Sequence, residues 1–189
     1  TFSVFGNALR FGKAAFTARL RTTIWRNIGA TPAPVHAFLN LGGLETLSLR
    51  MERICKTAEK LARFLKSEGA PVRYPGLESS GEAKLVQTQF QNGLAGGILT
   101  VRLGSKEAAF RFINALRYAK NVSNIGDSKT LVIHPASTIF LHANEEERLS
   151  AGVFNDLVRV SVGLEDPDDL IHDFKRALQS ATSISLTEE

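Results

Sequence analysis

Apolar residues recur at every fourth position, Phe16, Leu20, Ile24 and Ile28, with Arg19, Arg21 and Arg26 between them. That spacing predicts an amphipathic helix over Ala14 to Ile28. Gly29 stops it, and Thr31-Pro32-Ala33-Pro34 reads as a turn able to restart one, because proline is tolerated in a first helical turn. From Val35 to Ser67 the helical pattern is unusually long. Phe38, Leu41, Leu44, Leu47, Met51, Ile54, Ala58, Leu61 and Leu65 follow steps of three and four. Glu52 with Lys56 and Glu59 with Arg63 are i,i+4 pairs in the favourable orientation. Gly42-Gly43 should weaken or bend this helix near its start.

Beyond Glu68-Gly69-Ala70-Pro71 the period changes. Val72-Arg73-Tyr74 reads as a short strand before the Pro75-Gly76 turn, Ser79-Ser80-Gly81 as a loop, and Glu82 to Phe90 as a short helix. Ile98 to Leu103 is a strand. Ser105 caps the next helix, whose buried face carries Ala109, Phe112, Ile113 and Leu116. A loop from Asn121 to Lys129 leads to the strand Thr130 to Ile133, closed by His134-Pro135. Asn144 to Leu149 is helical and acidic, and Leu157 to Val162 is a strand. Asp166 caps a last helix with Pro167 in first position and Leu170, Ile171, Phe174, Ala177 and Leu178 facing inward. The tail from Thr182 is expected to fray.

This order favours an α/β fold, a mixed sheet with helices packed on one face, preceded by a long interdomain helix. The first 60 or so residues contain no predicted strand, as if they ended a larger body. An opening at Thr1, without methionine or a signal-like segment, suggests a trimmed or cleaved chain.

Composition narrows the functional classes. The chain has 189 residues, 43% of them hydrophobic and 22% charged, which fits a globular protein. The net charge of +4 is spread among acids, with no basic stripe or aromatic platform, so nucleic acid is not expected as a partner. No apolar run reaches the length of a membrane span. Cys55 is the only cysteine, which fits a reducing, cytoplasmic setting. His36, His134, His142 and His172 are scattered, and no metal-site spacing emerges. The acids at 145–147 and 166–169 sit at helix starts, where the helix dipole accounts for them.

Three segments could carry chemistry. In Asp156 to Gly163, alternation sets Val158, Val160 and Val162 on one face and Leu157, Arg159 and Ser161 on the other. An arginine centred in such a strand needs an anion, and its planar fork suits a carboxylate. That anion is either a ligand or a protein acid such as Glu165. The turn Asn124 to Lys129 is either structural or a source of amides for a ligand. His134, ahead of Pro135, Ala136, Ser137 and Thr138, is either a hydrogen-bonded structural residue or a base.

Taken together, Leu44 to Arg53, Tyr74-Pro75-Gly76-Leu77, Asn124 to Asp127, Thr130 to Thr138, Ala151-Gly152-Val153, Leu157 to Asp166 and Asp169-Leu170-Ile171 resemble the pyridoxal-phosphate (PLP) enzymes of Cys and Met metabolism. The resemblance runs in order over nearly the whole chain. The leading segment Thr1 to Arg26 and Asn124 look most like the O-acetylhomoserine sulfhydrylase branch.

The resemblance implies the C-terminal portion of a fold-type-I, aminotransferase-like PLP-dependent transferase. Residues 1–60 would end the PLP-binding large domain and carry the bridging helix, and 61–189 would form the C-terminal small domain. The implied reaction is γ-replacement, O-acetylhomoserine plus sulfide giving homocysteine plus acetate in methionine biosynthesis. Arg159 matches the arginine that grips the substrate's α-carboxylate, and Asn124 lies near that carboxylate. Ser161 is taken as structural support for Arg159. The implied partners are the N-terminal portion of the same enzyme, further copies in a dimer of dimers, and a small amino-acid substrate. The family's Schiff-base lysine sits in a Ser-x-Thr-Lys motif, which no lysine here has around it, so no catalytic or cofactor-binding residue is assigned to this chain. Ile139-Phe140 stand where the family usually has Thr-His, which opens the acceptor to a bulkier thiol or a carbon nucleophile. A γ-lyase, or a truncated non-catalytic module pairing with a full-length relative, are the other readings.

Overall fold

The computed structural model describes residues 10–77 and 81–182. The predicted loop residues Ser79 and Ser80, the first nine residues of the leading segment, and the tail beyond Thr182 lie outside them. The chain divides into two compact units, residues 1–46 and 47–189. The division falls earlier than the boundary near residue 60 read from the sequence.

In the first unit the predicted amphipathic helix forms as α1 (Ala15–Arg19), a π-helical stretch (Leu20–Trp25) and α2 (Arg26–Ile28). Thr22 and Thr23 donate their hydroxyls to the carbonyls of Ala18 and Arg19 at 2.7 and 2.5 Å. Such back-bonding competes with the i→i−4 ladder and accompanies the widened turn. Gly29 ends the helix in the left-handed region, φ +67°, which a residue with a Cβ seldom adopts. Helix α3 (Pro34–Glu45) starts with proline at its first turn, after an extended Ala33.

The single helix predicted from Val35 to Ser67 is two helices. Gly42 and Gly43 lie within α3, and the interruption comes at Thr46, φ −108° and ψ 4°. The apolar spacing continues on both sides of this residue, so the pattern carries no mark of the change.

In the second unit α4 (Leu47–Ser67) buries Ile54, Cys55, Thr57, Ala58, Leu61, Ala62 and Leu65. It ends at Gly69, φ +80°, with the Ala70 amide donating to the Leu65 carbonyl at 3.1 Å. The two i,i+4 ion pairs form on its exposed side, at 2.5 Å each. Strands β1 (Val72–Arg73), β2 (Ile98–Arg102), β3 (Lys120–Asn121), β4 (Leu131–Ile133) and β5 (Leu157–Ser161) make one mixed sheet in the order β1-β2-β5-β4-β3. All neighbours are antiparallel except β3 with β4.

Leu99, Val101, Val132, Val158, Val160 and Val162 point from this sheet into one core, where α4, α6 (Lys106–Ala115) and α8 (Pro167–Thr182) meet them. Phe112 of α6 packs edge-on against Phe174 of α8, ring centroids 5.5 Å apart. The predicted caps hold. Ser105 Oγ accepts from the Ala108 amide at 3.1 Å, and Asp166 Oδ1 accepts from Asp168 N at 2.9 Å. A capping box of Asn144 with Glu147, which was not among them, opens α7 (Glu145–Ser150). The remaining helix, α5 (Gly81–Gln89), follows β1.

Candidate functional site

The residues facing away from the core come from alternate positions of the same strands. Thr100, Arg159 and Ile133 lie abreast on β2, β5 and β4. Ser161 and Leu131 form the next rank. Alternation therefore places Arg159 centrally in a sheet, on the face opposite the core, where its guanidinium is partly buried.

Arg159 Nη2 donates to the backbone carbonyl of Asn124 at 3.2 Å. Its Nε is buried with no hydrogen-bond partner among the described residues. Burial lowers the guanidinium pKa, because it disfavours the charged form. The acid considered as its partner is committed elsewhere: the Glu165 carboxylate accepts the amide and the hydroxyl of Thr130, at 2.6 and 2.8 Å. Among the described residues no carboxylate pairs with Arg159. A buried, unpaired guanidinium edge is costly unless an anion reaches it, so this is a place where a carboxylate fits.

Asn124 sits in an exposed turn. Its Oδ1 accepts from the Ile125 amide at 2.8 Å, and its Nδ2 donates to none of the described residues. The turn continues through Gly126, φ +79°, whose amide donates to Ser161 Oγ at 3.3 Å. Asp127 Oδ1 closes it by accepting from the Lys129 amide at 3.0 Å, and chiefly that bond holds its carboxyl below the usual range. The structure thus brings together both residues singled out from the sequence, with Ser161 beside them. Asn124 meets Arg159 through its main-chain oxygen, a contact that no side-chain signal announces.

His134 has both ring nitrogens occupied. Nε2 faces the Asn155 carbonyl at 2.7 Å, which can only accept, so Nε2 carries the proton. Nδ1 then accepts from Ser137 Oγ at 2.8 Å. The structural reading of this histidine holds. Ile139, in the turn that follows, is exposed.

A sequence profile described as Cys/Met metabolism PLP-dependent enzyme matches residues 4–179. The chain belongs to this family. It is 43% identical to the homocysteine synthase of Schizosaccharomyces pombe over 173 residues, which is 90% of this chain and 40% of that protein. It is 39% identical to the cystathionine γ-lyase of Saccharomyces cerevisiae over 160 residues, 82% of this chain and 41% of that protein. A crystal structure of a putative O-acetylhomoserine (thiol)-lyase from Campylobacter jejuni superposes with a TM-score of 0.82 at 41% identity, covering 87% of this chain and 40% of that one. This chain therefore spans about 40% of the length of the curated relatives it matches.

The family's cofactor is PLP, and the Campylobacter structure carries a pyridoxyl-lysine phosphate. A lysine that joins such a cofactor works as a desolvated amine. Every lysine of the described residues is exposed. The unpartnered Nε of Arg159 is where an anionic group fits among the described residues. Among them, no helix is long and apolar enough to cross a membrane.

Proposed function

We propose that this chain is the C-terminal part of a PLP-dependent γ-replacement enzyme converting O-acetylhomoserine and sulfide into homocysteine and acetate. The observation that carries the proposal is Arg159, centred in the sheet with Nε buried and, among the described residues, no partner for it and no acid paired with the guanidinium. Arg159 grips the α-carboxylate of the donor, with Asn124 Nδ2 as a second donor to the same group. Because Arg159 is fixed at mid-strand and tied to Asn124, the carboxylate sets the direction in which the γ-carbon extends. PLP, when bound, supplies the electron sink that lets acetate leave and the nucleophile add.

In this reading residues 1–60 finish the PLP-binding domain and 61–189 form the C-terminal domain. The amine for the cofactor comes from the N-terminal portion of the same enzyme, and the assembly is a cytoplasmic homo-oligomer. The exposed apolar Ile139 near the end of β4 favours, after sulfide, a bulkier thiol or a carbon nucleophile as acceptor. The likeness to cystathionine γ-lyase makes cleavage the second reading.

The full-length protein, given O-acetylhomoserine with sulfide, methanethiol or no acceptor, and separately cystathionine alone, separates these readings by product. Homocysteine and acetate in equal amounts support the proposal. S-methyl product in preference to homocysteine shifts the acceptor, and consumption of cystathionine with release of cysteine supports the lyase. No turnover by cofactor-loaded protein on any of them leaves a non-catalytic role and overturns the proposal.

A further inference from the structure

We infer that Ser161 is a positioning residue for the carboxylate site, acting through the turn that holds Arg159; the inference rests on the reading of Arg159 given above. Arg159 and Ser161 are two residues apart on β5 and therefore on one face. Each makes a bond to the same turn. Ser161 Oγ accepts from the Gly126 amide at 3.3 Å, and Asn124 O accepts from Arg159 Nη2 at 3.2 Å. The two bonds close a ring through residues 124–126 and 159–161. Gly126, φ +79°, is what lets an amide and a carbonyl two residues apart both address the strand.

The ring matters because Asn124 is exposed, and Arg159 is held there by this single main-chain oxygen. Without the hydroxyl of Ser161 the Gly126 amide turns to water, the Asn124 carbonyl swings with it, and the guanidinium loses its fixed plane. A bidentate contact needs that plane, so affinity for a carboxylate falls although no group touching the carboxylate has changed. The far end of the turn is anchored separately. Leu164 N donates to Ser128 O at 2.8 Å, Gly163 N to Thr130 Oγ1 at 2.9 Å, and Thr130 itself is bound to Glu165. Removing the Ser161 hydroxyl thus loosens residues 124–126 while leaving the strand ends in place.

The test uses the full-length, cofactor-loaded protein and two probes that carry no γ-leaving group, L-norvaline and 1-aminobutane, which differ only by the carboxylate. Calorimetric titration of Ser161→Ala should show norvaline binding weakened about fivefold, the scale of one neutral hydrogen bond, with 1-aminobutane unchanged. Hydrogen exchange should quicken at residues 124–126 and stay unchanged over β4 and β5. Equal weakening of both probes, unaltered norvaline binding, or faster exchange throughout the sheet would overturn the inference. Arg159→Lys is measured alongside. If it lowers norvaline affinity and Ser161→Ala does not, the positioning role alone fails. If Arg159→Lys also leaves norvaline unaffected, the carboxylate reading fails with it.

Discussion

Thr130 offers both its amide and its hydroxyl to the carboxylate of Glu165, at 2.6 and 2.8 Å. That arrangement keeps the acid named as a partner for Arg159 occupied, and the arginine's Nε has no partner among the described residues. Arg159→Lys keeps the charge but loses the planar fork. In the full-length protein kcat/KM for the amino-acid donor should fall about a hundredfold, corresponding to about 2.7 kcal/mol. Steady-state kinetics read this directly, and an unchanged value would remove Arg159 from the site.

Asp173 is fully buried on α8 and accepts the amides of Arg117 and Tyr118 at 2.9 to 3.0 Å, with the Arg176 guanidinium on the same carboxylate. Arg176 also donates to the Ala115 carbonyl at 2.9 Å, so the end of α6 is fastened to α8. Asp173→Ala strands these donors and should cost about 3 kcal/mol in urea denaturation. Asp173→Asn should recover part of that loss, because an amide oxygen still accepts.

Gly97 lies against Ile54 of α4. A Cβ there would meet Ile54 Cγ2 at 2.4 Å, far inside contact distance. Gly97→Ala should destabilise by about 2 kcal/mol through overpacking. Ile54→Ala alone leaves a cavity, and the pair of substitutions should cost less than the sum of the two, as the methyl enters the vacated space. Additive losses would contradict the contact.

Tyr74 is buried, its hydroxyl donating to the Gly96 carbonyl at 2.9 Å. Burial raises its pKa well above that of an ordinary phenol, about 10. Above that pH the unfolded chain gives up the proton and the folded protein keeps it. The stabilisation is therefore whole below about pH 10 and is lost as pH rises beyond. Tyr74→Phe should flatten the alkaline fall in Tm relative to the parent and cost about 1 kcal/mol at neutral pH. The comparison is needed because burial also raises the Cys55 thiol, which contributes alkaline loss of the same sign.

Caps and alternation were legible in the chain because their causes are local. Ser105 and Asp166 declare helix starts by side-chain chemistry, and Val158, Val160 and Val162 declare the core face of β5 by period. The interruption at Thr46 was not legible, since apolar residues keep their helical steps across it. Nor was β3, whose two exposed residues pair with β4 through backbone alone. The burial of Asp173 has no local signal, because the amides it accepts belong to residues 117 and 118, far away in sequence. At the site, Arg159 stood out as a charge in a strand, and Asn124 was flagged by resemblance. The bond between them uses a carbonyl, which every residue has, so only the fold could show it.

The position of β5 in the sheet has a consequence for how the site comes into being. β1 pairs with β2, and β3 with β4, each within a contiguous stretch of chain, but only β5 joins the two pairs. During synthesis from the N-terminus, that strand is the last of the five to emerge. Until residues 157–161 leave the ribosome, nothing joins β2 to β4 and the five-stranded sheet is incomplete. The middle residue of that strand is Arg159, so this arginine and the final joint of the sheet arrive together. A polypeptide stalled short of that point has neither.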